Sequence, residues 1–225
     1  MKRIATCLAI LLLAGCTATQ QAKPSAVTYS GFLNDYSQLA PTNDPNKVLL
    51  RYVDASAPWK SYTKVRLEPV TFWAGADSNV PIETQHMLVD YAYSKMKASM
   101  EANGFALTDA AGPGVVVVRV AITDATPATP GLRSISVVVP QAVLVGAVVR
   151  QGTGNVAFAG SVQTEGDLID GVTGKRVAAW VDKRTGGTSI ANAGGMKWGD
   201  AQTIIDTWAK WAGERLAQLK AGTFN

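Results

Sequence analysis

Apolar and polar positions alternate most regularly between Val162 and Arg184, VQTEGDLIDGVTGKRVAAWVDKR, and period two over this length predicts one long β-hairpin. With Asp170 opposite Lys175 across Gly171-Val172-Thr173-Gly174, the residues Val162, Thr164, Gly166 and Leu168 share a face with Val177, Ala179 and Val181. The reverse face carries Gln163, Glu165, Asp167, Arg176 and Asp182, so one dry and one mostly wet face are expected, with Ile169 and Trp180 as apolar exceptions on the wet side. Asp170 can close an Asx turn and Gly174 can take positive φ, which sets the register near the turn.

Helical spacing marks two further stretches. After Asn79-Val80-Pro81, the residues Ile82, Val89, Tyr93, Met96 and Met100 recur on one stripe, and Gly104 stops the helix. Near the other end, Asp200 is a suitable N-cap for a helix in which Ala201, Ile204, Ile205, Trp208, Ala212, Leu216 and Leu219 line one side, with Trp211 flanking it and Gly222 closing it. Val48 to Val53, Lys64 to Trp73 with an interrupting Pro69, Phe105 to Leu107 and Val115 to Thr123 read as strands. The four valines opening the last of these predict a central strand covered on both faces. The pattern commits the chain to an α+β fold: a single mixed, largely antiparallel sheet with two long helices packed on one face.

The beginning of the chain changes the picture. Lys2 and Arg3 precede an apolar run from Cys7 to Ala14, too short to span a bilayer, and the run ends in Leu13-Ala14-Gly15-Cys16. This is the pattern of a lipoprotein signal peptide over residues 1–15, cleaved between Gly15 and Cys16, with Cys16 as the lipid acceptor. Thr17 to Ser30 is small and polar and is expected to be a flexible tether holding a single periplasmic domain, 31–225, roughly 20 Å from the membrane at about 5–6 Å × √n. Thr17, not Asp, follows the acceptor cysteine, which by the sorting rule of bacterial lipoproteins points to the outer membrane.

Removal of Lys2 and Arg3 from the 21 basic residues leaves 19 against 17 acidic, a net of +2 and too balanced to imply a nucleic-acid partner. With Cys7 in the leader and Cys16 acylated, no thiol remains for a disulfide, a zinc site or a nucleophile. His86 is the single histidine, and with no second His or Cys to share a metal it reads as a packed or solvent-edge imidazole.

The segments Ser30-Gly31-Phe32-Leu33-Asn34-Asp35-Tyr36-Ser37-Gln38-Leu39, Leu50-Arg51-Tyr52-Val53, Trp59-Lys60-Ser61-Tyr62 and Val65 to Phe72, together with the Asp-x-x-Thr-Gly turn of the hairpin, resemble a group of Gram-negative lipoproteins catalogued as a domain of unknown function, DUF3313. In the first segment, Phe32, Leu33, Tyr36 and Leu39 are spaced to pin a short helical turn onto the body. The resemblance spans almost the whole mature chain and implies a soluble domain, but it lends no activity. It favours a buried strand or short packed helix over a membrane-dipping loop for the apolar segment Ile135 to Val149, which Pro140 and Gly146 interrupt.

Signatures of catalysis are weak. The glycine-rich stretch Arg184 to Gly199 reads as a mobile loop and lacks a phosphate-binding consensus, and no Gly-x-Ser-x-Gly occurs. Glu165 with Asp167 is the least poor acid–base pair. The expectation is therefore a non-catalytic binding or accessory module of the cell envelope, without cofactor or metal, its candidate interaction surface being Trp180 among Glu165, Asp167 and Ile169. The alternative is a periplasmic enzyme acting on glycan or lipid. Cys16→Ser should abolish metabolic incorporation of a fatty-acid analogue, and undiminished labelling of that variant would refute the lipid assignment.

Overall fold

The computed structural model describes residues 19–74, 78–128, 160–186 and 198–224. Cys16, Gly15, Ile135 to Val149 and most of the glycine-rich stretch lie outside them. In chain order the elements are β1 (Thr19–Gln21), β2 (Ala40–Pro41), β3 (Leu50–Val53), β4 (Lys64–Leu67), β5 (Thr71–Phe72), α1 (Ile82–Ala102), β6 (Ala106–Leu107), β7 (Val115–Thr126), β8 (Ser161–Asp170), β9 (Arg176–Gly186) and α2 (Gly199–Lys220).

These strands form one open mixed sheet in the order β2-β3-β9-β8-β7-β4-β6, with β1 also on β9 and β5 also on β7. Pairings along β7-β8-β9-β3-β2 are antiparallel, while β4 and β5 run parallel to β7. The fold is α+β, as the periodicity predicts. The four valines of β7 do open a central strand, flanked by β8 and β4. Pro69 splits the expected strand 64–73 into β4 and β5, because it has no amide hydrogen to continue the ladder.

Both helices pack on one face, where Leu88, Met96, Met100, Val116, Val118, Val120, Ile204, Ile205, Trp208 and Leu216 make the main core. The buried stripe of α1 is Leu88, Ala92, Met96 and Met100, a strict i, i+4 series. Ile82 and Tyr93 of the expected stripe are exposed instead, and so is His86. Asp200 does not cap α2 by a side-chain bond; its carboxylate accepts the Gly160 N–H at 2.8 Å.

The hairpin turn forms as its residues dictate. The Asp170 N–H donates to the Lys175 carbonyl at 2.9 Å, and Gly174 has φ of +67°. Beyond the turn the register departs from expectation. Ile169 pairs with Arg176 but Leu168 with Ala178, so Val177 is one extra residue on the β8 side, while on the other side its carbonyl accepts the Asp54 N–H in continuation of the β3–β9 register. A slip of one residue exchanges the faces of a strand. The face of Val162, Thr164, Gly166 and Leu168 therefore meets Ala178, Trp180, Asp182 and Arg184 on the helix side, and Ala179 and Val181 turn to the reverse.

The reverse face is not wet. Leu33, Leu49, Leu50, Ala179 and Val181 form a second core there, closed over by Val27, Phe32, Tyr36 and Leu39. The pinning residues of 30–39 bind as expected, but through turns and not a helix. The expected tether is also absent from Thr19 onward: β1 pairs with Arg184 to Gly186, Ala22 is buried, and the Thr28 carbonyl accepts from the Gln163 side chain at 2.7 Å. Among the described residues no helix is long and apolar enough to cross a membrane.

At the turn, the Asp170 carboxylate accepts from the N–H groups of Val172 and Thr173, the Thr173 hydroxyl and the Tyr62 hydroxyl. Burial alone would raise its pKa, but these donors outweigh it and hold the carboxyl below the ordinary 3.8. A depressed carboxylate stabilises the fold fully above its unfolded value, and that stability is lost as pH falls through the folded value. Asp170→Asn should cost about 1.5–3 kcal/mol at neutral pH, the scale of hydrogen bonds to a charged group. The gap to wild type should close as the pH of urea titrations is lowered from about 5 toward 1; a gap independent of pH would contradict the assignment.

Candidate functional site

Four residues stood out in the sequence as one surface, and the structure separates them. Glu165, Asp167 and Ile169 share the reverse face of β8, whereas Trp180 lies on the helix face opposite Gly166. The bulge at Val177 is the cause. Glu165 and Asp167 are each 0% exposed. Glu165 accepts the Ser30 N–H at 2.9 Å and the Tyr36 hydroxyl at 2.6 Å, and burial, then that bond to Glu165, raises the Tyr36 pKa. Asp167 takes a two-pronged bond from Arg119, at 2.8 and 2.6 Å, and a third from Arg176 at 3.3 Å. Arg176 also reaches the carbonyls of Leu33 and Asp35. The carboxylates are thus buried, Glu165 bonded to the covering segment and Asp167 to Arg119 and Arg176 of the neighbouring strands.

Trp180 belongs to a different site. Its ring lies across β8 at a point where only glycine fits: a Cβ on Gly166 would come within 2.2 Å of Trp180 Cζ2. From there Trp180 forms the floor of a cleft of about 330 Å³ between the sheet and α2, a volume at the lower end of small-molecule sites, roughly 300–1,000 Å³. Leu168 and Ala178 continue the floor, Trp208, Trp211, Ala212 and Leu216 of α2 form the wall, and Arg51, Tyr52 and Val53 of β3 complete the side.

The aromatic wall is held by a buried ion pair. Asp182, itself 0% exposed, accepts from Arg184 Nε at 2.8 Å, Trp208 Nε1 at 2.7 Å and the Leu49 N–H at 3.0 Å. Burial pushes the Asp182 carboxyl up, against the pull of these donors, of which the Arg184 charge is the strongest. The Arg184 guanidinium stacks 4.4 Å from the centre of the Trp211 ring and donates to the carbonyls of Pro45 and Lys47. Trp208 and Trp211 are thereby fixed before anything enters the cleft.

One cation at the cleft is poorly satisfied. Arg215 Nη1 donates to Gln218 at 3.0 Å, but its Nε and Nη2 are buried and have no hydrogen-bond partner. Burial first, and then the charge of Arg51, lowers the Arg215 pKa. A guanidinium keeps its proton in proteins, so the depression reflects the cost of holding this charge partly buried beside Arg51. Sequence reasoning passed over Arg215 and Arg51. The available signal was an arginine interleaved between Ala212 and Leu216 on the apolar side of α2. Among the described residues no group of three or more His, Cys, Asp or Glu is placed to hold a metal.

A family model described as a protein of unknown function, DUF3313, matches residues 28–212. The chain belongs to the DUF3313 family. Over 210 residues it is 30% identical to the uncharacterized lipoprotein YdcL of Escherichia coli K12, with 92% of each chain covered, and the same figures hold for YdcL of E. coli O157:H7. Two structures of the PelC dodecamer from Paraburkholderia phytofirmans align with TM-scores of 0.40 and 0.36, at 13% and 14% identity, covering 72% and 67% of this chain and 94% and 87% of theirs. A likeness that loose supports no inference about this DUF3313 chain.

The tie between Gly166 and Trp180 can be tested directly. Gly166→Ala should cost about 1–3 kcal/mol in denaturant unfolding, the scale of overpacking, and should shift tryptophan emission as the ring is displaced into the cleft. A variant with unchanged stability and emission would show that Trp180 does not rest on β8.

Proposed function

We propose that this DUF3313 protein is a lipid-anchored binding or accessory module on the periplasmic side of the outer membrane, without catalysis of its own. The observation that carries the reading is the cleft beneath α2: concave, walled by prefixed tryptophans, and with Lys47, Arg51, Glu214 and Arg215 as its ionisable lining. That lining offers recognition and no pair of carboxylates disposed for acid–base work. The enzyme reading depended on Glu165 and Asp167, and both are bound under the amino-terminal segment. Anchorage is supported by Leu13-Ala14-Gly15-Cys16 and by a relative named as a lipoprotein; the choice of the outer over the inner membrane rests on Thr17.

A binding module should retain its ligand. Native mass spectrometry of the full lipidated chain, released gently from its own envelope, should detect a noncovalent adduct that disappears in Ala212→Phe, which fills the cleft. Wild-type protein free of any adduct, or an adduct kept by the variant, would overturn the assignment of the cleft as the binding site.

A further inference from the structure

We propose that the cleft takes a single-chain anionic amphiphile, with its acid group on Arg215 and its tail against Trp180, Trp208 and Trp211. The inference deepens the binding-module reading and rests on it. Its first support is charge complementarity: Arg215 carries two buried nitrogens without partners at the edge of a cleft whose other charged lining, Lys47, Arg51 and Glu214, leaves a net positive rim. Buried polar groups of folded proteins are almost always satisfied, so a guanidinium with two occluded, unpaired donors is an unfavourable arrangement, which a shift of the side chain onto an acceptor with two oxygens in the cleft, a carboxylate or phosphate, would relieve. Arg51 adds positive charge beside it, its own Nη2 donating to the Phe224 carbonyl at 3.1 Å.

The second support is the shape and chemistry of the remainder. Three indole rings, Leu168 and Leu216 present hydrocarbon to the interior of the cleft. The apolar part of the cleft accepts hydrocarbon, as engineered apolar cavities of about 150 Å³ accept benzene. At about 330 Å³ the cleft accommodates one modest chain and is too small for the two tails and headgroup of a bilayer phospholipid. The ligand is thus a free single-chain acid and not a lipid within a membrane.

The test uses the full lipidated chain in nanodiscs of zwitterionic phosphatidylcholine, with decanoate and its uncharged counterpart decanol as probes and tryptophan emission as the readout. Wild type should respond saturably to both and bind decanoate at least about tenfold more tightly. Arg215→Gln should bind both equally, and Arg215→Lys should keep part of the preference, with circular dichroism confirming that each variant is folded. Equal affinities in wild type, or an undiminished preference in folded Arg215→Gln, would overturn the proposal while leaving the cleft a binding site. Decanoate binding that survives Ala212→Phe would overturn both readings. A response seen only with phosphatidylglycerol in the nanodisc would replace the free acid by a bilayer headgroup and refute the inference.

Discussion

Four charged side chains of one hairpin, Glu165, Asp167, Asp182 and Arg184, are taken out of water, and the rest of the molecule is arranged to satisfy them. The effective cost of burying an ion is several kcal/mol, tolerable only where attraction and hydrogen bonds offset it. Apart from Arg176, which joins Asp167 from within the hairpin, the partners come from far along the chain: Ser30 and Tyr36 for Glu165, Arg119 for Asp167, Trp208 and the Leu49 amide for Asp182, and the carbonyls of Pro45 and Lys47 for Arg184. The amino-terminal segment, β7, the approach to β3 and α2 are therefore each tied to the same pair of strands. Misplacing any of these elements would leave a charge buried without its counterpart.

Much of the fold was legible in the residues because the strongest patterns are local. The turn at Asp170 and Gly174, the four valines of β7 and the apolar stripe of α2 each express one dominant local preference, and each forms. The site was less legible because a single bulge intervenes. Turn chemistry determines pairing as far as Ile169 with Arg176, but the extra residue Val177 lies where β9 is also held by a strand from elsewhere, β3, whose register continues to the Asp54 amide on the Val177 carbonyl. Alternation read through that point assigns every later residue of β9 to the wrong face, and Trp180 with them. The charged residues of β8 misled for a related reason: polarity resembles exposure until the buried partners are known, and the partners of Glu165 lie about 130 residues upstream.

The cleft illustrates how structure and binding share the same atoms. Arg184 and Asp182 tie α2 to the sheet and at the same time orient Trp208 and Trp211, so the wall of the proposed binding cleft is set by groups that do not line it. Such preparation reduces the ordering cost of binding. It also explains why α1 has a plainer role. Its Leu88-Ala92-Met96-Met100 stripe fills the half of the sheet around β4 and β7, and only its carboxy-terminal methionines reach the cleft.

The early start of β1 has a geometric consequence. A lipid on Cys16 would be followed by Thr17 and Ala18 alone before the chain enters the sheet at Thr19, a leash of at most about 10 Å over three residue steps of 3.3–3.6 Å. A body so held cannot swing through the periplasm on a long cord. If the proposed anchor is present, the body would stand on the bilayer by one end of its sheet, the end of Thr126, Ser161 and Gly186 beside β1, with little more freedom than rotation about the anchoring point. Any molecule reaching this domain would then approach a surface of fixed aspect, and lateral diffusion of the anchor would largely set how often the two meet.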